Sequence, residues 1–363
     1  MFAFFRRLFT REAPDRKRRA PPSAPPAHKV TGAELPASSL APPPAPSDYL
    51  SFADYSREER AARLAAEAVG NTRARELARL GAQRMVDQLP PFPAVANQVF
   101  AVLQNQNSRA TDIAAVVNRD PAMAASVLRL AASAMYASDK PVATVRDAVV
   151  RLGYDEVARV ASSVAASALF DRKTVASREF YRDAFDDLWN HALATAFASA
   201  SFAVERGTCD PNEAFLAALM HDIGKTIALD GLAIETSRRL DGGEEGTSWI
   251  HRSEVTPILD ELHTELGVSV ATHWNLPSYV REVVRWMHVP VVPTTDCAPL
   301  VHTVRVISGL NRIRIDPGHP AHTHDEVRTS AAALRLDDRA LTNIAATLRQ
   351  SAAKAAALHH NVQ

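Results

Sequence analysis

The residues most able to do chemistry are the adjacent pair His221 and Asp222, which have further histidines before and after them in the chain. Neutral imidazole and carboxylate groups are ligands of divalent transition metals. A bound metal lowers the pKa of a water molecule, so that hydroxide forms near neutral pH and can attack a phosphate. These residue types therefore allow metal-dependent hydrolysis, provided that the fold brings distant histidines to the pair.

The elements that must position this pair are predicted to be helices. Asp210, Pro211 and Glu213 supply an N-cap, a first-turn proline and an acidic third residue, which together favour a helix start. The residues from 215 to 223 are apolar over most of a helical circumference, so this helix should lie at the centre of its domain. No stretch shows the convincing period-2 alternation of a strand. The sequence predicts an all-α fold.

Proline and composition divide the chain. Ten of the 23 prolines lie between Pro14 and Pro46, so we predict that residues 1–50 are a disordered, Pro/Ala-rich leader. Residues 51–88 are rich in Ala, Arg and Glu but poor in large apolar side chains, which predicts an exposed helical connector. Three prolines in Pro90-Pro91-Phe92-Pro93 restrict the backbone and mark the start of the main domain.

Three groups of passages, in this order and spacing, resemble the HDOD family, the HD-related output domain of bacterial signalling proteins. The resemblance implies an all-α domain over residues 89–312, with an amino-terminal helical half (89–173) and an HD-like helical bundle (178–312), followed by a loop and a carboxy-terminal helix over residues 313–363. The passages are Leu89 to Val95 with Asp120-Pro121-Ala122, Leu128 to Ser133 and Ala148 to Gly153; Leu188 to His191 with Ala214 to Lys225; and His263 to Gly267 with His273 to Pro277 and Trp286 to His288.

The same resemblance implies a site, because the family is related to the HD phosphohydrolases, which coordinate a divalent metal. The positions that match their metal-binding histidines and aspartate are His191, His221, Asp222, His263 and His288. Within this set, His191, His221 and Asp222 are the candidate metal ligands. Lys225 could contact a phosphate in a working enzyme, or equally serve the helix dipole.

A working HD site also needs a carboxylate from a later helix, and the resemblance places Arg305 at that position. A guanidinium cannot bind a cation, so Arg305 is expected to pair with Asp222 instead. Asp296 is the alternative carboxylate. The residues from His273 to Pro277 also differ from the Gly-Tyr-Pro passage of the cyclic-dinucleotide phosphodiesterases. We therefore expect a vestigial HD site.

Two functions follow from this comparison. The first is a non-catalytic regulatory module that binds other signalling proteins and can sense a nucleotide second messenger through the degenerate site, with no cofactor expected. The alternative is a metal-dependent HD-type phosphohydrolase acting on a nucleotide or cyclic dinucleotide. The two functions differ in one feature of the site, the carboxylate from the later helix that a phosphohydrolase would need.

Composition limits the partners further. Lys plus Arg and Asp plus Glu each count 41, so no chain-wide charge favours DNA. Two cysteines without metal-site spacing fit a reducing compartment, and no apolar run is long enough to cross a bilayer, so a cytoplasmic protein is expected. Residues 1–19 mix Arg and Lys with Phe, which allows weak contact with an anionic membrane surface.

Overall fold

The computed structural model describes residues 72–89, 92, 94–105, 107–136, 141–170, 181–243, 252–315 and 321–359. The predicted leader, its membrane contact and the start of the connector lie outside these residues. The described part is α-helical, with a short 3₁₀ turn at Ala134–Tyr136. The helices are α1 Thr72–Asp87, α2 Ala94–Gln104, α3 Ala110–Val117, α4 Pro121–Ala132, α5 Val145–Leu152, α6 Tyr154–Phe170, α7 Arg182–Arg206, α8 Pro211–Met220, α9 Ile223–Asp241, α10 Arg252–His273, α11 Ser278–Trp286, α12 Ala298–Ile315, α13 Ala321–Ala333 and α14 Asp338–His359.

Helix starts follow the capping residues of the sequence. The Asp120 carboxylate accepts hydrogen bonds from the amides of Ala122 and Met123 at the start of α4. Asp210 caps α8 in the same way. Such caps satisfy backbone donors that a helix end leaves unpaired. The all-α prediction is confirmed, and no β-strand occurs among the residues that the structure describes.

The two predicted halves share one apolar core. Phe92, at the start of the first half, packs against Trp274 at the end of α10, with ring centroids 5.3 Å apart. Helix α8 is buried along most of its length in this core, as its apolar sequence predicts. The halves are therefore joined by side-chain packing as well as by the chain.

Helix α1 is partly buried, whereas the sequence predicted an exposed connector. Its residues Leu77, Ala78 and Ala82 are buried against α9 and α10. The reason is a close approach of two glycines: a Cβ atom built on Gly81 would lie 2.0 Å from the carbonyl oxygen of Gly231. Small residues let two helix backbones pack closely, so this buried face needs few large apolar side chains, and the composition misled the prediction.

The carboxy-terminal region holds two helices where a loop and one helix were expected. Helix α13 packs on α12, and α14 packs along α7. Lys354 of α14 pairs with Glu156 of α6, and its ammonium lies 4.6 Å from the centre of the Phe197 ring. Both helices are thus integral parts of the folded body.

In the described ranges, no helix is both long and apolar enough to cross a membrane. Cys209 and Cys297 are free and partly buried.

Candidate functional site

Helices α7 to α12 bring the five HD-matching residues into one cluster, in which four are buried and His288 is partly exposed. His191 lies in the middle of α7, His221 and Asp222 form the junction between α8 and α9, and His263 lies on α10. His288 follows α11. The rings of His191 and His221 have centroids 5.3 Å apart, and those of His263 and His288 are 4.8 Å apart.

Gly224 allows the helices that carry these residues to pack closely against each other. A Cβ atom at Gly224 would lie 1.9 Å from the carbonyl oxygen of His263 and 2.7 Å from the amide nitrogen of Gly267. Only a residue without a side chain allows the first turn of α9 to approach α10 so closely. The glycine that follows His221 and Asp222 in the sequence is thus what places His263 beside them.

A directed chain of hydrogen bonds fixes both members of the first histidine pair. The guanidinium of Arg314 donates to Oδ1 of Asn311 at 2.8 and 3.1 Å, so the Asn311 amide group must present Nδ2 to Nδ1 of His191, at 3.2 Å. His191 therefore carries its proton on Nε2 and donates to the Ser308 hydroxyl, 3.1 Å away.

The chain continues from Ser308 to His221. Nδ1 of His221 lies 2.6 Å from the Ala218 carbonyl oxygen and must donate to it, which leaves Nε2 as an acceptor. The Ser308 hydroxyl donates to this Nε2 at 3.1 Å. Hence neither His191 nor His221 has a free Nε2 lone pair.

Asp222 is held by two cations. Nη2 of Arg312 donates to both carboxylate oxygens, at 2.8 and 3.1 Å. Lys225 lies 3.4 Å from Oδ2 and makes a second pair with Asp260 at 2.6 Å. The imidazoles of His191 and His221 also face Oδ2, whereas His263 faces Oδ1 at 3.8 Å.

Arg305 does not occupy the position expected of it. Its Nη1 donates to the carbonyl oxygen of Val289 at 3.1 Å, and the cation that pairs with Asp222 is Arg312. Seven residues separate the two arginines, which is about two helical turns or ~10 Å along α12, so both lie on one face of the helix. The resemblance identified the correct face of α12 but the wrong turn. Asp296, the alternative carboxylate, is exposed on the loop before α12.

Burial and neighbouring charges set the protonation of the cluster. Burial lowers the pKa of His221 to about 4, and burial with the charge of Lys225 lowers the pKa of His263 to about 3. Burial of Asp222 alone would raise its pKa, but His221, Lys225 and Arg312 together hold that pKa well below its usual value. At neutral pH His191, His221 and His263 are therefore neutral and Asp222 is charged.

The sequence profile of the HDOD domain matches residues 89–290, which is more than half of the chain. The chain belongs to the HDOD domain family. An HDOD domain protein of unknown function from Geobacter sulfurreducens is 21% identical over 79% of this chain and 98% of its own, with a TM-score of 0.54. A candidate signal transduction protein from Marinobacter aquaeolei VT8 is 21% identical over 82% of this chain and 68% of its own, with a TM-score of 0.56.

A curated relative of this chain, an uncharacterized protein of Treponema pallidum (strain Nichols), is 25% identical to it over 60% of its length. The match spans 41% of that relative's length. The solved structures share the fold, and the site chemistry must be argued from the residues of this chain.

His263 and His288 form a second pair of histidines, and one of them contacts a residue outside the matched range. His288 donates from Nδ1 to the Glu326 carboxylate of α13 at 2.9 Å. His263 donates from Nδ1 to the carbonyl oxygen of Asp260, also at 2.9 Å. Both rings therefore carry their lone pair on Nε2. Among the described residues, neither of these buried Nε2 atoms has a hydrogen-bond partner.

A cleft with a volume of about 170 Å³ opens beside His191 and Asp222. Its charged lining consists of three carboxylates and two cations, and His263 and His288 are not among the described residues that line it. The charged residues are Asp187, Asp222, Asp260, Lys225 and Arg312.

The residues that the structure describes offer two sets of metal ligands that share Asp222, and the sets differ in their fit. In the set of His191, His221 and Asp222, the ligand atoms are engaged by Ser308 and Arg312, so a metal does not fit this arrangement. In the set of Asp222, His263 and His288, both imidazoles keep a lone pair without a hydrogen-bond partner among the described residues, but Arg312 also bonds to the Asp222 oxygen that faces His263.

Sequence reasoning missed five functional residues of the cluster. Ser308, Asn311 and Arg312 share a face of α12 with Arg305, so the helical spacing was a usable signal. Asp260 lies three residues before His263, one helical turn away, which was a weaker signal. Glu326 lies outside the matched passages, and no sequence signal linked it to the site.

Proposed function

We propose that this HDOD protein is a non-catalytic regulatory domain that acts in the cytoplasm by binding other signalling proteins. The observation that carries the proposal is the contact of Arg312 with both oxygens of Asp222. A guanidinium is permanently charged, binds carboxylates in a fixed geometry and repels a metal ion. The aspartate that a hydrolytic HD site would offer to its metal is thus already paired.

Ser308 supports the same proposal. It is the residue of α12 that contacts both His191 and His221, where a further carboxylate would complete a metal site. A neutral hydroxyl contributes no charge there and consumes the lone pair of His221. Catalytic metal sites keep a coordination position open for water, but here the protein groups satisfy one another.

The cleft favours a protein partner over a nucleotide second messenger. Small-molecule sites have volumes of roughly 300–1,000 Å³, and this cleft has about 170 Å³. Its three carboxylates and two cations leave a net negative charge, which opposes the phosphates of a nucleotide. Nucleotide sensing through this cleft would require Lys225 and Arg312 to leave their carboxylate partners.

One observation favours the alternative of a metal-dependent phosphohydrolase. All five HD-matching residues come together in one largely buried cluster, although they are distributed over nearly a hundred residues of sequence. A purely structural scaffold would not need this set of ligand-forming side chains at one point. The alternative therefore deserves a direct test.

The test is a hydrolysis screen of the full chain over cyclic dinucleotides and guanosine polyphosphates, with added manganese or magnesium. We expect no turnover by the wild type. The matched control is Asp222→Asn, which removes the shared carboxylate charge. Turnover by the wild type that disappears in the Asp222→Asn variant would overturn the proposal in favour of the phosphohydrolase.

A further inference from the structure

The cleft of about 170 Å³ has apolar walls as well as charged groups. Leu188 of α7, Val255 and Leu259 of α10 and Ile315 of α12 form these walls. Ile315 is 56% exposed and lies at the carboxy-terminal end of its helix. Apolar surface that borders a cleft is typical of an interaction site, because an occupant removes that surface from water. The walls therefore favour an occupant with a large apolar side chain.

The charged lining of the same cleft favours a basic occupant. It contains two cations and three carboxylates, and two of these carboxylates belong to the exposed Asp187 and the partly exposed Asp260. A carboxylate accepts several hydrogen bonds at once, so an arginine can join the partners that these groups already have. An occupant that combines aromatic side chains with arginines matches both the walls and the charge of the cleft.

The direction of α1 shows where the chain before it enters the folded body. Gly81 of α1 contacts Gly231 of α9, and three residues later Arg84 pairs with Glu235, which lies four residues after Gly231. The contacts therefore advance along both helices in the same direction. Helices α1 and α9 run parallel, so they begin at the same end of the molecule.

This common end is the one that holds the cleft. Thr72 and Asp222 each lie nine residues before the glycine of their helix, which corresponds to ~13.5 Å of helix in both cases. The start of α1 is thus level with Asp222. Arg75 also pairs with Glu261 of α10 at 3.1 Å, directly beside the lining residue Asp260. The chain that precedes Thr72 is therefore joined to the folded body close to the cleft.

The first residues of the chain have the chemistry that the cleft favours. Residues 2–11, here called the amino-terminal segment, contain four phenylalanines, one leucine and three arginines, and no acidic residue. We propose that this segment occupies the cleft of its own chain, with an aromatic side chain between the walls and an arginine on the carboxylates of Asp187 and Asp260. The inference goes beyond the proposed function, since it involves no partner protein. A partner that uses the cleft must then displace the segment.

The length of the connecting chain is sufficient for this contact. Sixty residues lie between Arg11 and Thr72, and a flexible chain of that length has an end-to-end distance on the order of 40 Å. A tethered segment binds as an intramolecular ligand, at an effective concentration that approaches the millimolar range. A segment with a dissociation constant on the order of 0.1 mM would therefore occupy the cleft in most molecules.

The experiment measures by fluorescence anisotropy how a labelled peptide with the sequence of residues 2–11 binds to full-length chains. One chain, the segment variant, carries Phe4→Ser, Phe5→Ser, Arg6→Ser and Arg7→Ser, so that its own segment competes only weakly for the cleft. We expect the peptide to bind the segment variant. Its affinity for the wild type should be about tenfold lower, because the tethered wild-type segment competes with it.

Two further substitutions in the segment variant locate the bound peptide. Ile315→Ser removes an apolar wall and should weaken peptide binding about tenfold, because burial of a large apolar side chain contributes this much. Val291→Ser is the matched control, since Val291 is 80% exposed but does not line the cleft, and it should leave the affinity within about twofold. A peptide with Arg6→Gln, Arg7→Gln and Arg11→Gln should also bind the segment variant about tenfold more weakly.

Three results would overturn the inference. They are no binding of the peptide to the segment variant, equal affinity for the segment variant and the wild type, and equal losses from Ile315→Ser and Val291→Ser. If the peptide does not bind while the wild type binds vesicles that contain phosphatidylserine, the segment is a membrane contact instead. No partner protein and no turnover are measured, so the outcome is independent of the proposed function.

Discussion

At the scale of single residues, the site is governed by which cation pairs with Asp222. A buried carboxylate without a partner is strongly unfavourable, so the fold must supply a counter-charge. The supplier is Arg312, and Lys225 adds a second positive charge linked to Asp260. The electrostatic reasoning from the sequence, that an arginine of the later helix fills this role, therefore holds for Arg312 and was wrong for Arg305.

We expect Arg312→Ala to lower the free energy of unfolding by about 3–5 kcal/mol, because it leaves Asp222 buried without its main partner. A double-mutant cycle with Asp222→Asn, measured by urea unfolding, should give a coupling energy above about 1 kcal/mol. Arg305→Ala is the matched control, since Arg305 is also buried on α12 but bonds to Val289. Equal coupling of both arginines to Asp222 would contradict this pairing.

A second prediction concerns Ser308. The double variant Ser308→Asp, Arg312→Ala adds a carboxylate beside His191 and His221 and removes the competing guanidinium. We expect it to bind one more equivalent of Co²⁺ than the wild type, because carboxylate and imidazole ligands then meet at the first pair. Ser308→Ala, Arg312→Ala removes the same obstacles without the new ligand and should not gain this equivalent. Equal cobalt uptake by the two double variants would show that the added carboxylate is misplaced.

At the scale of helices, glycines determine which pairs of helices can pack with their backbones in close contact. Gly224 lets α9 meet α10 at the site, and Gly231 lets α9 meet α1 two turns later. Helix α9 is therefore packed closely on two sides, and it carries Lys225 in its first turn. The position of the site thus depends on backbone contacts that have no apolar signature in the sequence.

We expect Gly231→Ala to cost roughly 1–3 kcal/mol of stability through overpacking. The added Cβ would lie 2.3 Å from the amide nitrogen of Ala82, a backbone atom that cannot rotate away. Gly242→Ala, at the end of the same helix, is the control, because its nearest neighbour would be 3.3 Å away. Chemical denaturation measures both. Similar small losses for the two variants would mean that α1 is not closely docked.

The sequence predicted the helices because caps and periodicity are local. Asp120, Asp210 and the apolar residues of α8 act within a few positions of themselves, and each lies where it was expected. The docking of α1 depends on Gly231, which lies 150 residues after Gly81, and the role of Glu326 depends on His288, 38 residues before it. Such pairing has no local pattern, which is why α1 was expected to be exposed and why Arg305 was placed two turns from the residue that does its task.

At the scale of the whole molecule, one core joins the two halves, so we expect them to unfold together. Phe92 and Trp274 contact across the boundary. Differential scanning calorimetry should give a single transition with equal calorimetric and van't Hoff enthalpies. Trp274→Ala should lower stability by about 3–5 kcal/mol. Two well-separated transitions in the wild type would contradict a shared core.

The buried histidines make the whole molecule sensitive to acid. In the folded chain the pKa of His221 is about 4 and that of His263 about 3, against a usual value of 6.5 for an unfolded chain. Between about pH 6.5 and 4 these histidines bind protons in the unfolded state but not in the folded state, so the free energy of unfolding falls as pH falls. Each such histidine contributes about 1.4 kcal/mol per pH unit within this window. The lowered pKa values of Asp222 and Asp260 act in the same direction below about pH 4.

Urea unfolding at stepped pH, with a chelator present to keep metal from the histidines, measures this dependence. The slope between pH 6 and 5 should be about 2.8 kcal/mol per unit from His221 and His263 together, with His191 acting in the same direction. Replacing either histidine by glutamine should remove about half of that 2.8 kcal/mol, because glutamine does not titrate. A stability that stays constant from pH 6.5 to 5 would mean that the cluster admits protons in the folded state, and hence that its imidazoles are open to solvent.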